Sequence, residues 1–279
     1  MTRRVLRTAG ALFLLGFCFA AWALLIEPGW VVWRTYSVET SKWPKSLDGF
    51  TIAFITDTHV GSPHISLEKM ADIVERTNAL KPDLVLLGGD YVIQGVAFGA
   101  PVHSREIASV LAKLTARHGV YAVMGNHDAW ENAPRMISEF EALGIKVLED
   151  ASTRIDTEKG AIWLAGVSDE TTAPHDIGKA LAGTDAMAPV ILFTHSPDIF
   201  PNVPPGIALA LAGHTHGGQV YVPFLGRPVV PSAYGERYAL GLIEEEGKML
   251  FVSPGIGTSI FPIRFLTRPE VSIIELRGR

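Results

Sequence analysis

Cysteine is nearly absent from this chain. The one copy, Cys18, lies in an apolar run near the N-terminus, so the folded part has neither a disulfide nor a thiolate metal site. Any metal binding therefore falls to histidines and carboxylates. A strong charge balance is missing as well: 24 Lys and Arg against 29 Asp and Glu leave a net charge of -5, which gives no reason to expect nucleic acid as a partner. No internal repeat and no low-complexity linker divides the chain, which argues for one catalytic domain over two. What is present, 48% hydrophobic and 19% charged residues over 279 positions, describes a globular body with a substantial core.

The N-terminus stands apart. Arg3, Arg4 and Arg7 precede an uncharged apolar run from Ala9 to Ile26. Such a run just reaches the ~20 residues a helix needs to cross a bilayer. We read residues 1–27 as an uncleaved membrane anchor or signal-anchor. The competing reading is a removed signal, for which "AWA" at Ala21 to Ala23 resembles a cleavage site and Thr2 to Leu6 a twin-arginine export signal. Cys18 is a poor lipidation site because Phe17 precedes it. Arginines ahead of the span place the N-terminus inside and the following domain outside the cytoplasm, in a single-pass arrangement at the cell membrane. Residues 28–48 form a juxtamembrane stretch with Trp30, Trp33 and Trp43, which fit either the membrane interface or docking onto the domain.

From residue 49 to 279 the pattern is that of an α/β domain. "FTIAFIT", "DLVLLGG" and "VYAVMG" are short buried strands. Between and after them, "SLEKMADIVERTNAL", "SREIASVLAKLTARHG" and "PRMISEFEALG" carry apolar residues at helical spacing. Strand alternating with helix argues for a largely parallel sheet. The second half, with "AIWLAGVS", "VILFTH", "IALALAG", "QVYVP", "RYALGLIE", "KMLFVS" and "EVSIIEL", is strand-rich and suggests a second sheet stacked on the first.

The polar residues fall where these strands stop. The first strand ends in Asp57-Thr58-His59, the second in Asp90, the third in Asn126-His127-Asp128, and two later ones in His195 and in His214-Thr215-His216. Ligands of open α/β sheets bind outside the carboxyl ends of the strands. Any one of these residues alone is better explained as a turn former or helix cap. Five apolar runs delivering metal-type donors to one edge is a different matter. Mixed oxygen and nitrogen donors without thiolates suit Mn, Fe or Zn better than Ca. Seven donors exceed one catalytic ion and fit two divalent ions that share a carboxylate. Such a pair, about 3.5–4 Å apart, can clamp both oxygens of an in-line displacement at phosphorus and acidify a water held between them.

The motifs "DTH", "GGD", "GNHD", "FTHSP" and "GHTH", in that order over nearly the whole chain after the anchor, resemble the calcineurin-like metallophosphoesterases. The C-terminal "SPGIGTSIFPIRFLTRPEVSIIEL" resembles the membrane-associated bacterial branch, which includes cell-envelope phosphodiesterases. The resemblance implies a four-layer α/β/β/α sandwich behind an N-terminal transmembrane helix. It implies that Asp57, His59 and His216 hold one metal, that Asn126, His195 and His214 hold the second, and that Asp90 bridges them. It also implies that His127 protonates the leaving oxygen or stabilises phosphoryl charge by in-line attack of a bridging hydroxide, with Asp128 orienting it. Where many relatives have a second aspartate and an arginine after the bridging aspartate, this chain has Ile93, Gln94 and Gly95, which argues against a phosphoprotein phosphatase.

The implied reaction is hydrolysis of a phosphate ester, by a phosphodiesterase or pyrophosphohydrolase acting on a cell-envelope lipid or a nucleotide-linked substrate. Arg264 and Arg268 are either partners for phosphate oxygens or solvated arginines of a C-terminal loop, and "FPNVPPG" and "VPFLG" are either apolar surface for an acyl chain or loops packed on the core. The rival is a non-catalytic, metal-stabilised module tethered to the membrane. It predicts loss of His127 or of a metal ligand, and the chain has lost neither.

Overall fold

The computed structural model describes residues 3–172, 174–185 and 187–279. Helix α1 (Arg3–Ala21) runs on through a wide turn over Trp22–Ile26 and a tight one over Glu27–Gly29. The whole stretch Arg3–Gly29 is long and apolar enough to cross a membrane, and none of the α1 side chains is buried. The twin-arginine-like stretch begins at Thr2, which lies outside the described residues.

Among the described residues, twelve strands form two six-stranded sheets. Sheet one contains β1 (Val32–Thr40), β2 (Phe50–Ile55), β3 (Leu84–Leu87), β4 (Val120–Ala122), β5 (Lys146–Val147) and β12 (Glu270–Gly278), in the order β1-β12-β2-β3-β4-β5. Sheet two contains β6 (Ala151–Thr157), β7 (Gly160–Val167), β8 (Val190–Thr194), β9 (Leu209–Ala212), β10 (Gly241–Glu245) and β11 (Lys248–Val252), in the order β10-β11-β9-β8-β7-β6. The strands β2 to β4 run parallel, as do β7, β8 and β9.

The layers follow from strand alternation. Successive residues of a strand face opposite sides. Ile52 and Phe54 of β2, with Leu84 and Leu86 of β3, therefore meet Leu164, Ile191, Phe193 and Leu209 between the sheets. Ala53 and Ile55 turn the other way, onto α2 (Leu67–Ala79), α3 (Ser104–Leu111) and α4 (Asn126–Ala142) through Met70, Ile107, Met136 and Phe140. The outer face of sheet two is covered by α5 (Ile177–Leu181) and the turn Pro197–Asn202, through Ala180, Ile199 and Phe200. Each fully buried Leu, Ile or Phe contributes about 1.5–3 kcal/mol. The result is an α/β/β/α sandwich with strands buried on both faces, which is why they read as near-continuous apolar runs.

Several boundaries differ from expectation. Residues 32–40, expected in a juxtamembrane stretch, form β1 and pair in parallel with β12, with Val38 and Thr40 buried. Trp43 is buried and Trp33 lies on α2, its Nε1 donating to Thr77, so both dock on the body. The "QVYVP" stretch is no strand; Val220 and Val222 make only isolated bridges. Helix α3 stops at Leu111, after which Leu114 turns into the core. Helix α4 begins eight residues before Pro134, at Asn126, and breaks at Asn132 (φ 174°, ψ 81°), because Pro134 cannot accept a continuous turn before it.

Candidate metal centre

The carboxyl ends of β2, β3, β4, β8 and β9 meet at one edge of the sandwich. The residues there bend sharply. Asp57, His59, Asp90, His214 and His216 have φ of 51°, 40°, 56°, 67° and 51°. A non-glycine residue at positive φ is uncommon and costs roughly 1–3 kcal/mol, and such residues concentrate at functional sites. Five together mean that tertiary contacts hold the strand ends in place. Glycines make the approach possible: a side chain at Gly213 would run into Thr56 and the Asp57 carboxylate, and one at Gly125 into Asp90.

Asp57, His59, Asp90, Asn126, His195 and His216 are buried, and His214 is half-buried. Three His/Asp groups result, of which His59, Asp90 and His127 form one that shares members with the other two triads. In one, Asp57 Oδ1 lies 3.6 Å from His216 Nε2, which is 3.2 Å from His59 Nε2. In the other, His195 Nε2 lies 3.3 Å from Asp90 Oδ2, 3.1 Å from His214 Nδ1 and 3.1 Å from Asn126 Oδ1. Asp90 Oδ2 joins them, since it is also 3.6 Å from His59 Nε2.

The rings are fixed from behind. His59 Nδ1 donates to Val92 O at 3.1 Å and His195 Nδ1 to Gly88 O at 2.8 Å, which turns both Nε2 atoms toward the cluster. A backbone carbonyl behind the far ring nitrogen is the usual support of a metal-binding histidine. The Nδ1 atoms of His127 and His216 are buried and, among the described residues, have no hydrogen-bond partner.

The electrostatics are those of anions and imidazoles crowded in a buried cluster. Burial pushes Asp57 up to about 6, and pushes His59 down to about 3 and His214 to about 4. Burial also lowers His127 and takes His216 well below the ordinary histidine range. Burial alone would raise Asp90, but His195, His59 and His127 outweigh it and hold the carboxyl below its usual range. The reverse holds for His195: burial opposes its charge, and the Asp90 carboxylate raises it well above an ordinary histidine. The donor set fits divalent transition-metal ions. It mixes carboxylate oxygen, amide oxygen and imidazole nitrogen, it contains no sulfur, and its ring nitrogens face one another.

Residues 50–218, which hold all of these groups, match the calcineurin-like phosphoesterase family. The chain belongs to that family. It thereby joins the metal-dependent phosphoric ester hydrolases. Over the full body it is 28% identical to the uncharacterized metallophosphoesterase YkuE of Bacillus subtilis (strain 168), covering 92% of this chain and 89% of that one. It is 31% identical to the phosphodiesterase YaeI of Escherichia coli (strain K12), with 90% of each chain covered. A transmembrane protein with a metallophosphoesterase domain from Danio rerio is 29% identical over 86% of this chain and 56% of its own.

Three expectations for this metallophosphoesterase need correction. Asp128 makes no hydrogen bond to the His127 ring among the described residues. Its Oδ2 accepts from the backbone N–H of Asp90 (2.7 Å) and Gly125 (2.9 Å), and its Oδ1 from Tyr91 (2.9 Å) and Val92 (3.4 Å). Asp128 therefore ties the β3 and β4 ends together, and burial raises its carboxyl to about 7. Arg264 is not available to a phosphate. It is fully buried, and its guanidinium donates to the carbonyls of Pro254, Gly255, Gly257 and Thr267. Arg268 lies over the Trp30 ring, 4.0 Å from its centroid. Of the "FPNVPPG" stretch only Phe200 and Val203 are buried, with Pro201, Asn202, Pro205 and Gly206 exposed, whereas Phe224 and Leu225 of "VPFLG" are exposed.

The role of Arg264 was hidden in the sequence. The loop it clamps presses on the first triad: Gly257 N donates to Asp57 O at 2.6 Å, and side chains at Gly255 or Gly257 would strike Asp57 or His59. The only sequence trace is the glycine and proline density around Arg264, which supplies close carbonyls.

Proposed function

We propose that this protein is a two-metal phosphodiesterase or pyrophosphohydrolase acting on a cell-envelope lipid or nucleotide-linked substrate. Asp57, His59 and His216 hold one divalent ion, and Asn126, His195 and His214 hold the other. Asp90 is shared. Mn, Fe and Zn fit the donor set. When bound, such a pair supplies Lewis acidity toward the phosphoryl oxygens and lowers the pKa of a water. The carrying observation is Asp90 Oδ2, within 3.6 Å of a ring nitrogen of each triad.

The side chains supply the rest. Asp90 Oδ1 accepts from His127 N at 2.8 Å, which sets the start of α4 beside the cluster. His127 Nε2 stands 3.9 Å from Asp90 Oδ2, and burial lowers the ring below the ordinary histidine range. A phosphate bound at the cluster brings a second negative charge to this ring and favours its protonation. His127 then hydrogen-bonds a phosphoryl oxygen or hands a proton to the leaving oxygen. The departure at Ile93 and Gln94 weighs against phosphoprotein substrates; Ile93 is buried and Gln94 donates to Glu131.

Residues 1–27 serve as the anchor and 49–279 as the catalytic body, with 28–48 joined to that body through β1. The catalytic body lies outside the cytoplasm, with the flanking arginines inside.

Two measurements test the reading. With Mn added, the wild type hydrolyses bis-p-nitrophenyl phosphate, and Asp90→Ala loses several kcal/mol of transition-state stabilisation, at least about 10³-fold in kcat/KM. No turnover in the wild type, or unchanged turnover in the variant, sinks it. A topology reporter fused after Arg279 is active outside the cytoplasm; activity confined to the cytoplasm overturns the orientation.

A further inference from the structure

Beside His216 the polar centre gives way to an apolar cavity of about 440 Å³. His216 and Thr215 form its inner end. Its walls come from two loops, one carrying Val220, Val229 and Pro231, the other Ile260, Phe261 and Ile263. A second cavity, about 540 Å³, lies at the strand starts among Asp48, Asp83, Arg117 and Lys159, remote from the catalytic edge.

The lip of the smaller cavity is unusually bare. Val229, Ile260 and Phe261 line it and are each more than half exposed, as are Phe224, Leu225 and Leu266 elsewhere on the same two loops. Apolar side chains clustered in this way mark an interaction site or a membrane-facing surface. The same loops are joined to the membrane helix. Phe265 N donates to Gln219 O at 2.9 Å and Tyr221 N to Phe265 O at 2.8 Å, linking the two walls. The Phe265 ring meets Phe19 of α1 edge-on, with centroids 5.8 Å apart, and Arg264 N donates to Ala23 O at 3.0 Å. The wall of the cavity and the end of the apolar helix are thus parts of one contact, which holds the bare lip beside the end of the candidate span.

We infer that the cavity is a binding site for an acyl chain of a lipid phosphodiester, drawn from the leaflet at which the anchor ends. The shape and chemistry run in the right order for such a molecule: a phosphate at the His/Asp cluster, a hydrocarbon chain past His216, and an exit among Ile260, Phe261 and Val229 toward lipid. A nucleotide would leave these walls without polar partners. The inference rests on the phosphoesterase reading and narrows its substrate to one class.

The test uses the full-length protein in detergent, loaded with Mn, and p-nitrophenyl alkyl phosphodiesters from methyl to octyl, each below its micelle concentration. The expected result is a kcat/KM that climbs by up to about fourfold per methylene buried. In Val229→Asp, which places a charge on the lip, and in Ile263→Trp, which fills the cavity, the octyl-to-methyl ratio falls at least tenfold. Each variant is its own reference, so a general loss of activity does not mimic the effect. A second readout needs no turnover. In vesicles of phosphatidylethanolamine and phosphatidylglycerol, a phospholipid with a diazirine at its acyl terminus labels peptides spanning 218–231 or 259–263. A flat chain-length series, a slope that survives in both variants, or labelling confined to Arg3–Ile26 overturns the inference. So does chain-to-chain cross-linking at Ile260 and Phe261, which would seat a second copy on the lip. Failure of the wild type on the methyl ester rejects the phosphoesterase reading itself, whereas methyl turnover with a flat series rejects only the acyl site.

Discussion

His127 and Asp128 are neighbours with separate work. His127 has an unpartnered buried Nδ1 and faces the triads, whereas the Asp128 carboxylate is spent on four backbone N–H groups. His127→Asn is expected to lower kcat by about 10²–10⁴-fold with full metal content, measured by turnover and by plasma mass spectrometry on the same sample. Asp128→Ala is expected to destabilise the fold by roughly 2–4 kcal/mol in urea, because it strands buried donors. Equal losses of kcat with unchanged stability would contradict that division. The candidate ligands were legible in the sequence because each follows an apolar strand, and strand ends are where an α/β sheet puts its chemistry. Arg264 was not. A sequence states that an arginine is charged; only packing decides that its guanidinium goes to four carbonyls.

The loop from Ser253 to Pro269 behaves as an element although it has little regular structure. Arg264 holds it from inside, without a carboxylate partner, and burial lowers the guanidinium to about 10. Glu27 fastens its far end, accepting from Thr267 N at 2.8 Å. Arg264→Met keeps the side-chain length and strands four carbonyls. It is expected to cost on the order of 3–5 kcal/mol and to weaken the first metal site selectively, seen as fewer than two ions per chain after dialysis. Full occupancy with unchanged stability would show that the loop holds itself. Regular elements were largely readable from periodicity, since β2, β3, β8 and β9 are buried on both faces and α2 on one. The reading failed where local signals mislead. The strand β1 alternates polar residues at a sheet edge behind an anchor, and Gln219 to Pro223 has strand-like composition but is bent over the cavity.

At the level of the whole molecule, the cluster is a cost that cations offset. Three aspartates and five histidines sit together, buried or half-buried: Asp57, Asp90 and Asp128 beside His59, His127, His195, His214 and His216. Chelation should therefore soften the entire sandwich. At metal concentrations about 100-fold above Kd, binding contributes about 2.7 kcal/mol, so EDTA should lower Tm by roughly 5–10 °C in a scanning melt, with Mn restoring it. A Tm indifferent to EDTA would separate the cluster from stability. The layer order and the catalytic edge were visible in the sequence, but not the docking of the anchor, since nothing local announces that Ala23 meets Arg264. Nor did it reveal the position of β12, whose residues lie between β1 and β2, with Val32 beside Glu270 and Phe50 beside Leu276. During synthesis the two earlier strands must therefore wait, held apart with open edges, until the ribosome has released the segment from Glu270 to Gly278. The N-terminal apolar helix, which precedes both strands, is already made when the missing middle arrives.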